Sequence, residues 1–221
     1  FWSALATRDT RLMTHVLGRH FPDRLTNATY ATYIRCHDDI GWAVTDEDAG
    51  ALHISGPAHR AFLSEFYEGG FPGSFAQGVL FQVNEATGDK RISGSFASLA
   101  GLEKANGPQA EDLAVQRLLM GHALIAGFGG IPLIYMGDEL AMLNDMTYLS
   151  VPQHAHDSRW VHRPKMDWAL AETRHGGETP AARVFAGLRA ILARRRATPA
   201  LHGAVPTQVL DTGNATVFAF R

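Results

Sequence analysis

One order of elements occurs twice in this sequence: an amphipathic helix, a strand-like run and a cluster of acids. In the first unit, apolar residues recur at spacings of three and four across residues 5–20, which predicts a helix that Pro22 ends. Residues 29–36 are rich in Thr, Tyr and Ile, as strands are, and lead directly into His37-Asp38-Asp39. The acids are therefore expected just past the end of a strand.

The second unit follows the same plan further along the chain. Residues 113–128 predict a helix ended by Gly129 and Gly130, and residues 131–136 predict a buried strand that leads into Gly137-Asp138-Glu139. Helices that alternate with strands, with polar clusters at the strand ends, predict part of an α/β fold of the (β/α)8 TIM-barrel type. Two strands cannot close a barrel, so we expect a fragment of a longer chain.

The remaining segments predict elements outside these two units. Residues 39–106 are far longer than an ordinary βα loop, which indicates a small subdomain or a functional loop. Its aromatic residues are more typical of a subdomain core than of a sugar platform: Phe62, Phe66, Tyr67, Phe71, Phe75 and Phe81. Thr179-Pro180 predicts the start of a helix that Pro199 ends. Residues 208–210 and 216–220 predict an antiparallel hairpin that begins a further β domain.

Charge and composition exclude several kinds of function. The formal net charge is −2 and the basic residues are dispersed, so we expect no nucleic-acid partner. The run Arg194-Arg195-Arg196 predicts a solvated helix end. No stretch approaches the roughly 20 apolar residues of a membrane span, and the single cysteine, Cys36, excludes an internal disulfide. The chain opens on Phe1 inside a helical pattern, which suggests truncation; localisation stays open, with the cytoplasm favoured.

Two polar clusters are candidates for chemistry. His37, Asp38 and Asp39 place a neutral donor beside two carboxylates that can stabilise developing positive charge, although an ordinary surface loop is the alternative. Arg159 can fork onto a carboxylate or sugar hydroxyls, and the neighbouring Trp160 can stack on a sugar ring. An ordinary ion pair within the loop is the alternative there.

Other reactive residues predict structural roles. No tight histidine pair or cysteine set fixes a metal geometry, so we expect no metal, either at His154, His156 and Asp157 or at His37 with its acids. Asp138 and Glu139 are expected to cap a turn or pair with an arginine. Cys36 is expected to be inert packing, because no partners for thiol catalysis accompany it.

Three stretches together closely resemble the amylosucrases of glycoside hydrolase family 13, in the α-amylase superfamily. They are residues 33–42 (YIRCHDDIGW), 130–139 (GIPLIYMGDE) and 157–164 (DSRWVHRP). The likeness runs from Phe1 to about Ala200 and includes residues 73–76 (GSFA) and 88–94 (GDKRISG), which resemble the extra subdomain after barrel strand seven. These enzymes split sucrose and pass glucose to a growing α-1,4-glucan, with release of fructose.

The resemblance implies a division of the chain into four parts. Residues 1–38 match barrel helix six and strand seven, and residues 39–106 match the extra subdomain. Residues 107–200 match helix seven, strand eight, loop eight and helix eight, and residues 201–221 begin a C-terminal β-sandwich. The expected fold is thus the C-terminal part of a TIM barrel with an insertion after strand seven.

The resemblance also implies roles for individual residues. His37 and Asp38 match the pair that binds the glucosyl hydroxyls, with Asp38 as the catalytic carboxylate that stabilises the oxocarbenium-like transition state. Asp39 and Arg91 match positions that contact the fructosyl or acceptor sugar. Arg159 matches an arginine that pairs with an upstream aspartate and closes the far end of the pocket. Arg60 matches, less closely, a basic position along the acceptor path.

The resemblance places the nucleophile and the acid/base on strands four and five, which this sequence does not contain. We therefore expect the isolated chain to be inactive, with sucrose and α-glucan as the partners of the whole enzyme and no cofactor. Two alternatives remain open, a sucrose hydrolase of the same subfamily and a non-catalytic glucan-binding remnant. The oligomeric state is also open.

Overall fold

A short parallel strand pair joins the two predicted units. In this computed structural model, which describes residues 1–21 and 27–221, β1 (Ala31–Thr32) pairs with β4 (Ile131–Pro132), with Ala31 opposite Ile131. Both strands are shorter than predicted. The prediction of a buried second strand is wrong, because Ile131 is 57% and Met136 54% exposed and no described element covers them.

The N-terminal segment forms two helices instead of the single predicted one. α1 (Trp2–Thr7) ends at Arg8, which takes the left-handed conformation with φ 59°. α2 (Arg11–His20) begins after Asp9, whose Oδ1 accepts the backbone N–H of Arg11 at 2.9 Å. The left-handed Arg8 ends α1 and the Asp9 hydrogen bond lies at the start of α2, and the apolar spacing alone reveals neither. The predicted stop at Pro22 lies outside the described residues.

Residues 39–106, called the insertion below, form two helices, a hairpin and a short third helix. They are α3 (Asp46–Ala51), α4 (Gly56–Glu68), the antiparallel strands β2 (Val79–Phe81) and β3 (Arg91–Ser93), and α5 (Phe96–Leu99). Each helix starts at a hydroxyl residue whose oxygen accepts a backbone N–H three positions on: Thr45, Ser55 and Ser95.

The insertion has its own apolar core. Phe66 and Tyr67 are buried in it beside Leu63 and Ile92, and Phe62 and Phe75 pack at its margin. Phe71 is exposed but meets the Phe62 ring edge-on, with 4.9 Å between ring centroids. The predicted subdomain core is confirmed for Phe66 and Tyr67, with Phe62 and Phe75 at its margin, whereas Phe71 is exposed and Phe81 packs against Arg159.

A second core lies between the two long helices. α6 (Pro108–Gly127) and α8 (Pro180–Ala197) contribute Val115, Leu118, Val184 and Leu188, which pack around Phe96 of α5. Both helices were predicted. α6 is followed by Gly129 and Gly130 at φ 92° and 68°. The Thr179 hydroxyl accepts the Ala182 N–H where α8 begins.

The stretch between β4 and α8 is built mainly of single turns. Short 3₁₀ helices cover Asp138–Leu140, Met146–Ser150, Ser158–His162 and Thr173–His175, and α7 spans Trp168–Glu172. After α8 comes a 3₁₀ turn (Pro199–Leu201) and then the predicted hairpin, β5 (Val209–Leu210) against β6 (Ala219–Phe220).

Two predictions concern the whole chain: an α/β fold class and no membrane span. The described residues mix helices with strands that form three two-stranded sheets. Within residues 1–21 and 27–221, no helix is both long and apolar enough to cross a membrane. The basic run at the end of α8 is only partly solvated, because Arg195 donates to the carbonyls of Ala126 and Gly130.

Candidate functional site

The acids that follow β1 lie where segments distant in the sequence meet. One carboxylate oxygen of Asp38, Oδ1, lies 3.3 Å from Nη1 of Arg159 and 3.5 Å from Nη2 of Arg163. Its other oxygen lies 3.3 Å from Nε2 of His37. The Asp38 side chain keeps 48% of its surface exposed, so solutes can reach it while it stays oriented.

Asp39 faces the insertion. Its carboxylate is only 7% exposed and accepts a hydrogen bond from Nη1 of Arg91 at 3.3 Å. The backbones of Ile40 and Ile92 exchange two hydrogen bonds, of 2.7 and 3.1 Å, in an antiparallel bridge. This bridge holds β3 of the insertion directly beside the acids.

Arg159 is bound chiefly by its own loop. Its guanidinium forks onto Asp157 through two hydrogen bonds of 2.9 Å, which hold the pKa of that carboxyl below its ordinary value. It also lies over the ring of Phe81, 4.9 Å from the centroid, and reaches Asp38. The loop ion pair and the contact with the candidate carboxylate therefore coexist, and Phe81 belongs to this site.

The Trp160 indole is stacked on one face by a side chain of its own loop. The imidazole of His154 stacks on it with 3.6 Å between centroids and planes within 10°. The guanidinium of Arg163 lies 5.5 Å from the indole centroid. On the face that His154 covers, a sugar ring cannot stack.

His162 is a buried member of the site that sequence reasoning missed. Its Nδ1 accepts the backbone N–H of Gly94 at 3.0 Å, and its Nε2–H donates to the carbonyl of His37 at 3.1 Å. Burial, helped by the nearby Arg35, lowers the pKa of His162 to about 3, so the ring is neutral. Only its place within residues 157–164 could have drawn attention to it.

Arg60 lies apart from the other candidate residues. Its guanidinium binds Asp46 at 2.8 Å, Asp89 at 3.0 Å and the carbonyl of Val44 at 3.0 Å. These contacts tie α4 to the segment before α3 and to the turn between β2 and β3. The geometry gives Arg60 a structural role in the insertion and no contact with Asp38 or Asp39.

Asp138 and Glu139 take structural positions. Asp138 accepts from Nε of Arg35 at 3.1 Å, and the Arg35 guanidinium lies 4.5 Å from the Tyr135 centroid. Burial raises the pKa of Asp138 to about 6 despite the attraction of Arg35. Glu139 accepts the N–H of Gly137 at 2.7 Å.

Three side chains in the site are of types that can bind a metal ion. Cys36, His37 and Asp38 each place one ligand atom within 4.8 Å of the other two. Cys36 Sγ also accepts the backbone N–H of Asp38 at 3.5 Å. The two guanidinium groups on Asp38 oppose a cation at this position, because they already compensate the carboxylate charge.

A surface groove among the described residues lies away from these acids. It encloses about 700 Å³ and is lined in part by Tyr30, Gly130, Arg195 and His202. A comparison of the chain with protein-family models gives no match. The candidate site is therefore defined by Asp38 and Asp39 and by the arginines that contact them, Arg159, Arg163 and Arg91.

Proposed function

We propose that this chain forms part of the glucosyl-binding site of a sucrose-splitting, retaining glucosyltransferase of the amylosucrase type. One observation carries the proposal: Asp38 and Asp39 are contacted by Arg159, which lies 121 positions from Asp38, and by Arg91, which lies 52 positions from Asp39. These are four of the residues to which the family resemblance assigns sugar contacts.

In the proposed site, His37 and Asp38 bind the hydroxyls of the glucosyl unit. A half-exposed carboxylate, oriented by His37 and two arginines, suits a group that hydrogen-bonds hydroxyls and stabilises the positive charge of an oxocarbenium-like transition state. Asp38 is the catalytic residue that this chain supplies.

The covalent steps need two more carboxyl groups, about 5 Å apart in retaining enzymes. The family resemblance places them on strands four and five of the barrel. One attacks C1 of the glucosyl unit while the other protonates the departing fructose. Glucan or water then accepts glucose from the sugar–enzyme ester. The residues of this chain bind and orient the sugar during these steps.

Asp39 and Arg91 are proposed to face the fructosyl or acceptor sugar. Arg91 keeps 53% of its side chain exposed while it pairs with Asp39, so its remaining donors are free to meet sugar hydroxyls. Arg159 is proposed to close the glucosyl end of the pocket. Arg60 is not included, because its donors bind Asp46, Asp89 and Val44.

The connection between the strands supports the proposed barrel origin. β1 and β4 are parallel neighbours, and α6 lies in the connection just before β4. A helix that returns the chain to a parallel neighbouring strand is the repeating unit of a (β/α)8 barrel. The acids follow β1 on the side where barrel enzymes place their active sites.

Sugar binding by the purified 221-residue chain tests the proposal. Saturation-transfer NMR with sucrose should show transfer to the glucosyl protons, and Asp38→Asn should remove most of it. Asp211→Asn, in the exposed hairpin turn, is the matched control and should leave the transfer unchanged. Absence of transfer in the wild-type chain, or equal transfer in the Asp38 variant, would contradict the proposal.

Activity assays test the division of labour. The isolated chain should release no fructose from sucrose, and release above that of an Asp38→Ala variant would show that it carries a complete catalytic set. Product analysis of the longer enzyme separates transfer from hydrolysis, which differ in acceptor binding and water access. Binding of a maltooligosaccharide without sucrose would favour a glucan-binding role instead.

A further inference from the structure

We propose that His162 and Arg163 are positioning residues that hold the peptide between His37 and Asp38 and link its geometry to the insertion. The role of these residues in catalysis rests on the proposed function, whereas the contacts that they make are independent of it. It adds two residues to those that the sequence suggested, and neither needs to touch the sugar.

Both residues donate to the same carbonyl oxygen. The His37 carbonyl accepts from Nε2 of His162 at 3.1 Å and from Nε of Arg163 at 2.6 Å. A carbonyl oxygen has two lone pairs, so these donors satisfy it fully. Because the peptide unit is planar, holding this oxygen also sets the direction in which the chain enters Asp38.

Arg163 makes a second contact, to the side chain of Asp38. Its Nη2 lies 3.5 Å from Oδ1 of that carboxylate, and only 20% of the arginine side chain is exposed. A guanidinium is a rigid planar fork, so one group that meets both the backbone and the carboxylate restricts their relative position. Lysine carries a single ammonium nitrogen, so it cannot hold both contacts in this fixed planar geometry.

His162 carries the link to the insertion through its other nitrogen. Nδ1 accepts the N–H of Gly94, which directly follows β3, and β3 also contains the Arg91 that pairs with Asp39. These partners require the neutral ring with its proton on Nε2. The imidazole thus joins the insertion to the strand end that carries the acids.

Variants of His162 and Arg163 can distinguish a positioning role from a role in packing alone. His162→Phe fills the same space but removes both hydrogen bonds, so the His37 carbonyl and the Asp38 carboxylate should change environment. His162→Gln keeps one donor and one acceptor and should restore much of the wild-type state. Arg163→Met should disturb Asp38, and Arg163→Lys should recover its charge contact but not the backbone contact.

The experiment uses isotope-labelled 221-residue chain and NMR. The signals to follow are the His37 carbonyl carbon, the Asp38 carboxyl carbon and the Gly94 amide, all at one pH. His162→Phe and Arg163→Met should change the chemical shifts of the His37 carbonyl and Asp38 carboxyl carbons and weaken sucrose saturation transfer about fivefold, as losing one hydrogen bond does. His122→Phe, a change at another buried histidine that contacts neither acid, is the matched control.

The outcomes separate this proposal from the proposed function. Unchanged His37 and Asp38 signals in both His162→Phe and Arg163→Met would overturn it, and so would equal changes in His122→Phe. If His162→Phe does not fold, Arg163→Met with its lysine counterpart gives the answer. If wild-type chain shows no sucrose transfer, the proposed function fails, while the NMR signals still test the positioning role.

Discussion

Arg35 and Asp138 form a buried ion pair that joins the segment after β1 to the turn after β4. Nε of Arg35 lies 3.1 Å from Oδ1 of Asp138, and the two side chains are 3% and 4% exposed. The sequence places these residues 103 positions apart, in the two repeated units. The pair therefore connects those two units directly.

Arg35→Leu should lower the free energy of unfolding by about 3 kcal/mol or more at pH 7.5, because Asp138 would stay buried without its partner. The pKa of Asp138 is already raised from 3.8 to about 6. Its stabilising contribution is therefore full below pH 3.8 and is lost as pH rises through about 6.

Losing the guanidinium should raise that pKa further, so the penalty of Arg35→Leu should shrink at pH 5. Urea unfolding at both pH values measures it. The double variant Arg35→Leu/Asp138→Leu, which leaves no buried charge, should recover most of the stability. An equal penalty at both pH values would show that Asp138 does not take up the proton.

His162 should make stability fall with acid. Burial lowers its pKa from 6.5 to about 3, so its contribution is full above pH 6.5 and is lost as pH falls toward 3. His162→Gln should flatten this fall between pH 6.5 and 4 by up to about 1.4 kcal/mol per pH unit. Chemical unfolding at several pH values tests it, with His156→Gln, an exposed change in the same loop, expected to keep the wild-type slope.

The two insertion arginines should differ in their effect on stability. Arg60 has three partners and is 17% exposed, so Arg60→Ala should cost about 1–2 kcal/mol. Arg91 has one ion pair and is 53% exposed, so Arg91→Ala should cost about 0.5 kcal/mol or less. Thermal unfolding compares them, and a larger loss for Arg91→Ala would mean that this residue serves the fold rather than a ligand.

Two glycines with positive φ should respond differently to alanine. Gly73 has φ 82° and open space around it, so Gly73→Ala should cost only the conformational strain, about 1 kcal/mol. At Gly130, with φ 68°, an added Cβ would lie 2.5 Å from the Tyr30 carbonyl oxygen. Gly130→Ala should therefore cost about 2–3 kcal/mol by denaturant unfolding, and equal losses would contradict the clash.

The features that sequence reasoning predicted well are mostly local. The start of α8 at Thr179-Pro180, the two glycines that follow α6, and the final hairpin all depend on residues within a few positions of each other. The break between α1 and α2 at Arg8 is also local but was not predicted. Apolar residues keep their helical spacing across it, and the Asp9 hydrogen bond leaves no trace in that spacing. The family roles of His37, Asp38, Asp39 and Arg159 stay predictions that await sugar-binding tests.

The sequence by itself determined which segments carry acids after strand-like runs and that the insertion has an aromatic core, since periodicity and turn chemistry are local properties. Only the tertiary structure decided the partners: Arg35 for Asp138, Phe81 beneath Arg159, His154 on Trp160 and His162 between Gly94 and His37. Apart from the His154–Trp160 stack within one loop, these choices depend on contacts between residues far apart in the chain, which no local pattern encodes.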